Sequence, residues 1–210
     1  MKAYPVLVLV LGFSASLLGQ KDRYADEARA LSAAGKVEKN TYINQHAGFL
    51  IHLPRAACKP EVHDNLSLAA AGAILLSCVH EAAGGSTYTL NVLLDIWSRY
   101  ANMTETAQYV RGLHRLGLQD PNDRSRPDPN AKTAEPETPK KWAGMDFVEV
   151  IMNMNRTDPP HYIGVTCTHF KDYVLCIRAE GRSLELVQAL LKMDGKLELT
   201  NQPAGKTATH

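Results

Sequence analysis

The amino-acid sequence predicts an α+β fold in which helices pack on a mostly antiparallel sheet. Short segments with alternating apolar residues follow one another in adjacent pairs, and turn-forming residues join the members of a pair. Two longer segments instead repeat their apolar residues with the spacing of an amphipathic helix. Because strands joined by tight turns run antiparallel, the order of strands, helix, strands, helix and a last strand indicates this layout.

The first predicted strand pair lies within residues 40–53, where turn-forming residues 44–48 precede a strand with Phe49, Ile51 and Leu53 on one face. Further along the chain, a pair of glycines separates two apolar segments and predicts a hairpin. The remaining predicted strands are 73–81, 86–96, 142–155, 162–170, 173–178 and 196–199.

Two segments predict helices. Residues 102–116 carry an apolar stripe, Asn102 and Glu105 have the spacing of a capping box, and Gly117 ends the segment. Residues 183–193 carry a second stripe, with Ser183 as the expected cap. The aromatic residues around the first helix, Trp97, Tyr100 and Tyr109, are expected in the core rather than in a ligand platform.

The rest of the chain predicts a single domain with polar extensions. We expect a charged, alanine-rich leader at residues 20–39, one α+β domain at 40–199 and a polar tail at 200–210. Residues 119–141 contain five prolines and many charges, with almost no bulky apolar residue. This composition predicts a mobile, solvated loop inside the domain.

Residues 1–19 have the layout of a secretory signal peptide. Lys2 precedes a short apolar run at residues 6–11, and small residues follow it up to Gly19. The run is shorter than the roughly 20 residues that span a bilayer, and we expect no integral membrane segment after cleavage. The sequence therefore predicts a secreted or periplasmic protein, with Asn65, Asn102 and Asn155 as glycosylation sites if the source is a eukaryote.

The four cysteines predict disulfides, because an even number in an exported protein favours oxidised pairs. A two-residue loop at Lys171-Asp172 would set Cys167 opposite Cys176, with their Cα atoms about 4.5 Å apart. We therefore predict the Cys167–Cys176 disulfide and, by elimination, Cys58–Cys78. The alternative is four small buried residues without disulfides.

The charge balance argues against two classes of partner. The chain has 23 Lys and Arg against 22 Asp and Glu, and removal of Lys2 leaves 22 against 22. A net charge near zero offers little attraction for nucleic acid or anionic membranes. The expected partner is therefore an unidentified protein or small molecule.

No catalytic motif stands out in the sequence. There is no Gly-x-Ser-x-Gly segment, no phosphate-binding loop and no dinucleotide fingerprint, so we assign no catalytic residue and no cofactor. The alternative is a metal site, because Cys78 and His80 share a strand face, as do Cys167 and His169. Two such strands side by side would offer tetrahedral sulfur and nitrogen ligands, although disulfides would remove them.

Both ends of the predicted domain resemble PsbP-like domains. The resemblance covers Tyr42–Asn44 with Gly48–Pro54, and Tyr173–Arg178 leading into Gly181–Leu191 and Leu197–Leu199. It implies an α/β/α sandwich around an antiparallel sheet and a non-catalytic accessory or binding role. The expected function is therefore that of an exported binding or accessory protein, with an extracellular enzyme or metal-binding protein using the Cys/His strand faces as the alternative.

Overall fold

The computed structural model describes residues 24–53, 59–63, 68–69, 72–81, 87–100, 102–142, 144–154, 160–192 and 197–199. In these ranges the chain forms three α-helices and twelve strands. The helices are α1 (residues 24–33), α2 (Thr106–Gly117) and α3 (Leu184–Leu191). The strands are β1 (Gly35–Glu38), β2 (Thr41–Asn44), β3 (Phe49–His52), β4 (Lys59–Val62), β5 (Leu68–Ala69), β6 (Gly72–Glu81), β7 (Thr87–Ile96), β8 (Ala131–Trp142), β9 (Met145–Met154), β10 (His161–Phe170), β11 (Tyr173–Gly181) and β12 (Leu197–Leu199).

The strands form two antiparallel sheets. The small sheet has the order β1-β2-β3-β12, and the large sheet has the order β4-β6-β7-β11-β10-β9-β8, with β5 paired to β6. The described chain is thus an α+β fold dominated by antiparallel strands, as the sequence predicts. The finer expectation, an α/β/α sandwich of PsbP-like type, stays a prediction.

The main core lies on one face of the large sheet, which we call the core face. Leu31 of α1, Phe49 and Ile51 of the small sheet, and Val187 of α3 are fully buried there against the large sheet. The rings of Phe49 and Phe170 meet edge to face with their centroids 6.3 Å apart, joining the two sheets. Helix α3 begins where predicted, because the Ser183 side chain accepts a hydrogen bond from the backbone N–H of Leu186.

Helix α2 packs on the opposite face of the large sheet, which we call the α2 face. Tyr109 and Val110 are buried against Leu93, Val150 and Val165 in a second apolar cluster. Side chains alternate between the two faces along each strand, so this cluster and the main core share strands but not side chains.

The disulfide hairpin has the register that the sequence predicts. Phe170 pairs with Tyr173, Cys167 pairs with Cys176, and the loop is Lys171-Asp172. A disulfide joins the two cysteines, whose Cα atoms are 4.2 Å apart, and both side chains are fully buried under α2. Cys78 is also disulfide-bonded, whereas Cys58, its predicted partner, lies outside the described residues.

The expectation that residues 119–141 form a mobile loop is wrong for their second half. Residues 131–142 form β8, which pairs with β9 at the edge of the large sheet. Pro136 and Pro139 are tolerated because an edge strand needs hydrogen bonds on one side only. Register shifts between Thr133 and Thr138 take up the irregularity. The strand is hard to recognise because it is polar on both faces.

Two further boundaries differ from expectation. Residues 24–38 belong to the packed domain rather than to a leader, since Leu31 is fully buried and β1 pairs with β2. Helix α2 begins at Thr106 instead of at the predicted capping residue Asn102, and Glu105 precedes it without a side-chain cap. Gln108 accepts a hydrogen bond from the backbone N–H of Thr104 at 2.8 Å instead.

The predicted signal peptide, the polar tail and the possible glycosylation sites Asn65 and Asn155 lie outside the described residues. Asn102 is exposed in a turn before α2. In the part of the chain that the structure describes, no helix combines the length and the apolar character that crossing a membrane requires.

Candidate functional site

The candidate site is a cavity of about 310 Å³ between the C-terminal half of α2 and the α2 face of the large sheet. We call it the α2 cavity. Its walls come from α2, from the segment that follows α2, and from β9, β10 and β11. The apolar lining residues are Leu113, Leu116, Pro121, Met152, Met154, Ile163 and Val165, and the polar ones are Gln119, Asp120, Arg124 and Arg178.

The floor of the α2 cavity is built by alternation along neighbouring strands. Met152 and Met154 on β9 lie beside Ile163 and Val165 on β10, and all four side chains point to the α2 face. Val165, Met152 and Met154 are buried, so packing fixes the floor whatever occupies the cavity.

The end of α2 closes one side of the cavity. A Cβ atom on Gly117 would lie 2.4 Å from Sδ of Met152, so a larger residue here would displace the end of the Met152 side chain. The chain then bends back, with the backbone N–H of Asp128 donating to the carbonyl of Leu118 at 2.8 Å. Asp120 accepts a hydrogen bond from the backbone N–H of Asn122 at 2.8 Å and so shapes the rim.

A buried carboxylate holds α2 on the sheet. Asp95 is 2% exposed and accepts hydrogen bonds from Tyr109 at 3.1 Å, from Arg99 at 2.9 Å and from the hydroxyl of Tyr100. Burial and the charge of Asp95 raise the pKa of the Tyr109 phenol well above its ordinary value. Tyr109 belongs to the core as expected, and Trp97 and Tyr100 pack partly buried against the same cluster.

Arg178, which lines the cavity, belongs to an ion-pair network. Nε of Arg178 is 2.9 Å from Oε1 of Glu180, and Nε2 of His161 is 3.3 Å from Oε2 of the same carboxylate. Burial raises the pKa of Glu180, but the hydrogen bond from His161 and the charge of Arg178 outweigh burial, and the pKa lies below its ordinary value. Glu180 is therefore charged at neutral pH and has two basic partners.

The structure does not assemble the alternative metal site. The strands that carry Cys78 and Cys167 are separated by β7 and β11, about 14 Å of sheet. The two cysteines belong to the clusters on opposite faces, and both are in disulfides. The exposed ring of His169 stacks on Trp97 with centroids 4.2 Å apart, while the side chain of His80 lies outside the description. No three His, Cys, Asp or Glu side chains among the described residues come together as a metal site.

A serine and a histidine meet on the α2 face, but their hydrogen bonds do not suit catalysis. Nε2 of His63 lies 2.8 Å from the hydroxyl oxygen of Ser77, which donates to Oδ1 of Asn91 at 2.7 Å. Since the hydroxyl proton is directed to Asn91, His63 is the donor in its contact with Ser77. A serine nucleophile needs the opposite arrangement, in which histidine accepts the proton.

A second cavity of about 290 Å³ lies on the core face between β8, β10 and the end of α3. Lys140, Lys141, Lys192 and Trp142 form most of its lining. The hydroxyl of Thr166 beneath them is buried without a hydrogen-bond partner among the described residues. Long, flexible lysine side chains build this cavity, whereas packed strands and a fixed helix build the α2 cavity.

Comparisons with known proteins do not place the chain in a family. No family model matches the sequence, and no curated protein matches it. Among solved structures, the fold is similar to LpqN, a protein involved in cell envelope biogenesis of Mycobacterium tuberculosis. The identity is 8%, the alignment covers 68% of this chain and 85% of LpqN, and the TM-score is 0.42. A likeness at this level defines neither family nor function, and the resemblance to PsbP-like domains stays a prediction.

Proposed function

We propose that this protein is an exported, non-catalytic binding protein that holds a small, largely apolar ligand in the α2 cavity. The observation that carries the proposal is the cavity itself, whose volume lies at the lower end of the range for small-molecule sites, roughly 300–1,000 Å³. Its lining joins a mostly apolar surface to a few polar groups, which is the usual composition of a ligand site.

The rigidity of the walls supports binding to a preformed site. The floor lies on adjacent, hydrogen-bonded strands, and three of its four residues, Met152, Met154 and Val165, are buried. The hydrogen bond between Tyr109 and Asp95 fixes α2, and the disulfide between Cys167 and Cys176 lies under the same helix. A preformed cavity costs less conformational entropy when the ligand binds, so a small apolar contact area is enough for measurable affinity.

Two features support export. The first 19 residues read as a signal peptide, and disulfides persist mainly in oxidising compartments. The disulfide-bonded state of Cys167, Cys176 and Cys78 is compatible with an extracellular or cell-envelope location. In such a compartment, a binding protein would capture or carry apolar molecules that are poorly soluble in water.

The experiment that tests the proposal fills the α2 cavity. We expect wild-type protein to bind dodecanol in isothermal titration calorimetry, and Ile163→Trp to weaken the affinity at least about tenfold because the indole occupies the ligand's volume. The matched control is Val79→Trp, since Val79 is 44% exposed on β6 and does not line the cavity. Equal affinities of Ile163→Trp and wild type, with both proteins folded by circular dichroism, would contradict the proposal.

A further inference from the structure

The α2 face changes from apolar to polar along a line that follows β11. Residues that pair on neighbouring strands form rows across the sheet, which we call register rows. In one register row, Val150 on β9 pairs with Val165 on β10, and Val165 pairs with Arg178 on β11. The row then continues through two polar residues, Asn91 on β7 and Ser77 on β6. Val165 and Arg178 of this row line the α2 cavity, and Arg178 is the first polar residue of the row.

The next register row changes at the same strand. Met152 pairs with Ile163, and Ile163 pairs with Glu180, which in turn pairs with Thr89. Two adjacent rows therefore place the boundary between β10 and β11. A ligand that lies across this boundary meets apolar side chains at one end and hydrogen-bonding side chains at the other.

Arg178 is the charged group that lies at the boundary and lines the cavity. Its side chain is 30% exposed and lines the cavity, so part of it is accessible to a ligand there. The ion pair between Arg178 and Glu180 does not bar a ligand, because His161 remains a partner of Glu180 when the guanidinium turns to another anion. Guanidinium groups suit carboxylates and phosphates in particular, since they donate two parallel hydrogen bonds.

We propose that the ligand is a single-chain amphiphile whose anionic oxygen head group, a carboxylate or a phosphate, binds Arg178 while its apolar chain fills the α2 cavity. The inference rests on the proposed function and adds the chemical class of the ligand. The direction of binding follows from the boundary, with the chain over β9 and β10 and the head group over β11. The polar residues beyond Arg178, Asn91 and Ser77, then surround the head group rather than the chain.

The test compares three probes that share a twelve-carbon chain: dodecanol, dodecanoate and dodecyl phosphate, each titrated calorimetrically into the full chain below its micelle-forming concentration at pH 7.4. We expect wild type to bind an anionic probe about tenfold more tightly than dodecanol. Arg178→Met should abolish this preference, so that the three probes bind with similar affinity. Glu180→Gln should raise the affinity for the anionic probes, because it removes the carboxylate that competes for Arg178.

The matched control is Arg126→Met, since Arg126 lies on the segment after α2 but does not line the cavity. This variant should leave the affinity for dodecanol and the affinities for the anionic probes unchanged. A preference for dodecanoate assigns a carboxylate head group, and a preference for dodecyl phosphate assigns a phosphate. Equal binding of the three probes, or a preference that survives Arg178→Met, overturns the inference but not the proposed function. Failure of all three probes to bind overturns both.

Discussion

Removing the Cys167–Cys176 disulfide should lower the free energy of unfolding by a predictable amount. The bond closes a loop between residues that are nine apart in the sequence. Loop-closure entropy for this length corresponds to about 2.6 kcal/mol at 25 °C. The double variant Cys167→Ala/Cys176→Ala should therefore lose about that much stability in urea unfolding. Its midpoint of thermal unfolding should fall by about 5–10 °C for a domain of this size.

The assay must separate the cross-link from the packing of the two buried sulfur atoms. Reduction is unsuitable because it would also break the disulfide of Cys78. A second double variant, Cys167→Val/Cys176→Val, fills the space beneath α2 and removes only the cross-link. We expect a similar loss in both variants. A loss below about 1 kcal/mol in both, with an unchanged m value, would refute the reasoning, because the bond would then not restrict the unfolded chain.

Three further predictions concern stability. Leu31→Ala should cost about 2–5 kcal/mol in urea unfolding, because Leu31 is fully buried, whereas a leader outside the domain would tolerate the change. Tyr109→Phe should cost about 1–3 kcal/mol by the same measurement, since it leaves buried Asp95 with one donor fewer; an unchanged midpoint would count against the role of this hydrogen bond. Because the folded-state pKa of Glu180 is lowered, its contribution to stability is present above the ordinary value of about 4.5 and is lost as the pH falls through the folded-state pKa. Glu180→Gln should therefore show a weaker loss of thermal stability than wild type between neutral and acidic pH, and parallel curves would contradict the assignment.

Local sequence patterns predicted the elements whose formation depends on neighbouring residues. The register of the β10–β11 hairpin followed from alternation on both sides of a two-residue loop, and the start of α3 followed from its capping residue Ser183. The α1 segment also had a usable signal. Tyr24, Ala28 and Leu31 have the spacing of one helix face, and all three pack toward the main core. The alanine-rich, charged composition around them instead indicates a leader.

Long-range packing set the features that the sequence did not predict. Strand β12 joins the small sheet by pairing with β3, from which most of the chain separates it, and no local pattern specifies that partner. The polar strand β8 is held by its pairing with β9 rather than by its own apolar residues. The α2 cavity combines residues from α2, from the segment after it and from three strands, so no short sequence motif predicts it.

The alternation of apolar residues along the strands does, however, place some of the residues that line the α2 cavity on one strand face. The sequence placed Val148, Val150, Met152 and Met154 on one strand face, and the structure places all four on the α2 face. What the sequence could not supply was the length of α2, which covers Val150 but leaves space above Met154. The polar boundary at Arg178 likewise depends on which strands are neighbours.

The most direct test of the central claim is methyl NMR of protein labelled with ¹³C at the methionine methyl groups, titrated with dodecanoate. Met152 and Met154 line the α2 cavity, whereas Met145 packs against the main core on the other face. The account predicts that the Met152 and Met154 signals shift together and saturate with one dissociation constant, while the Met145 signal stays in place. Saturable shifts at Met145 alone, or no shift at Met152 and Met154, would contradict the assignment of the α2 cavity as the ligand site.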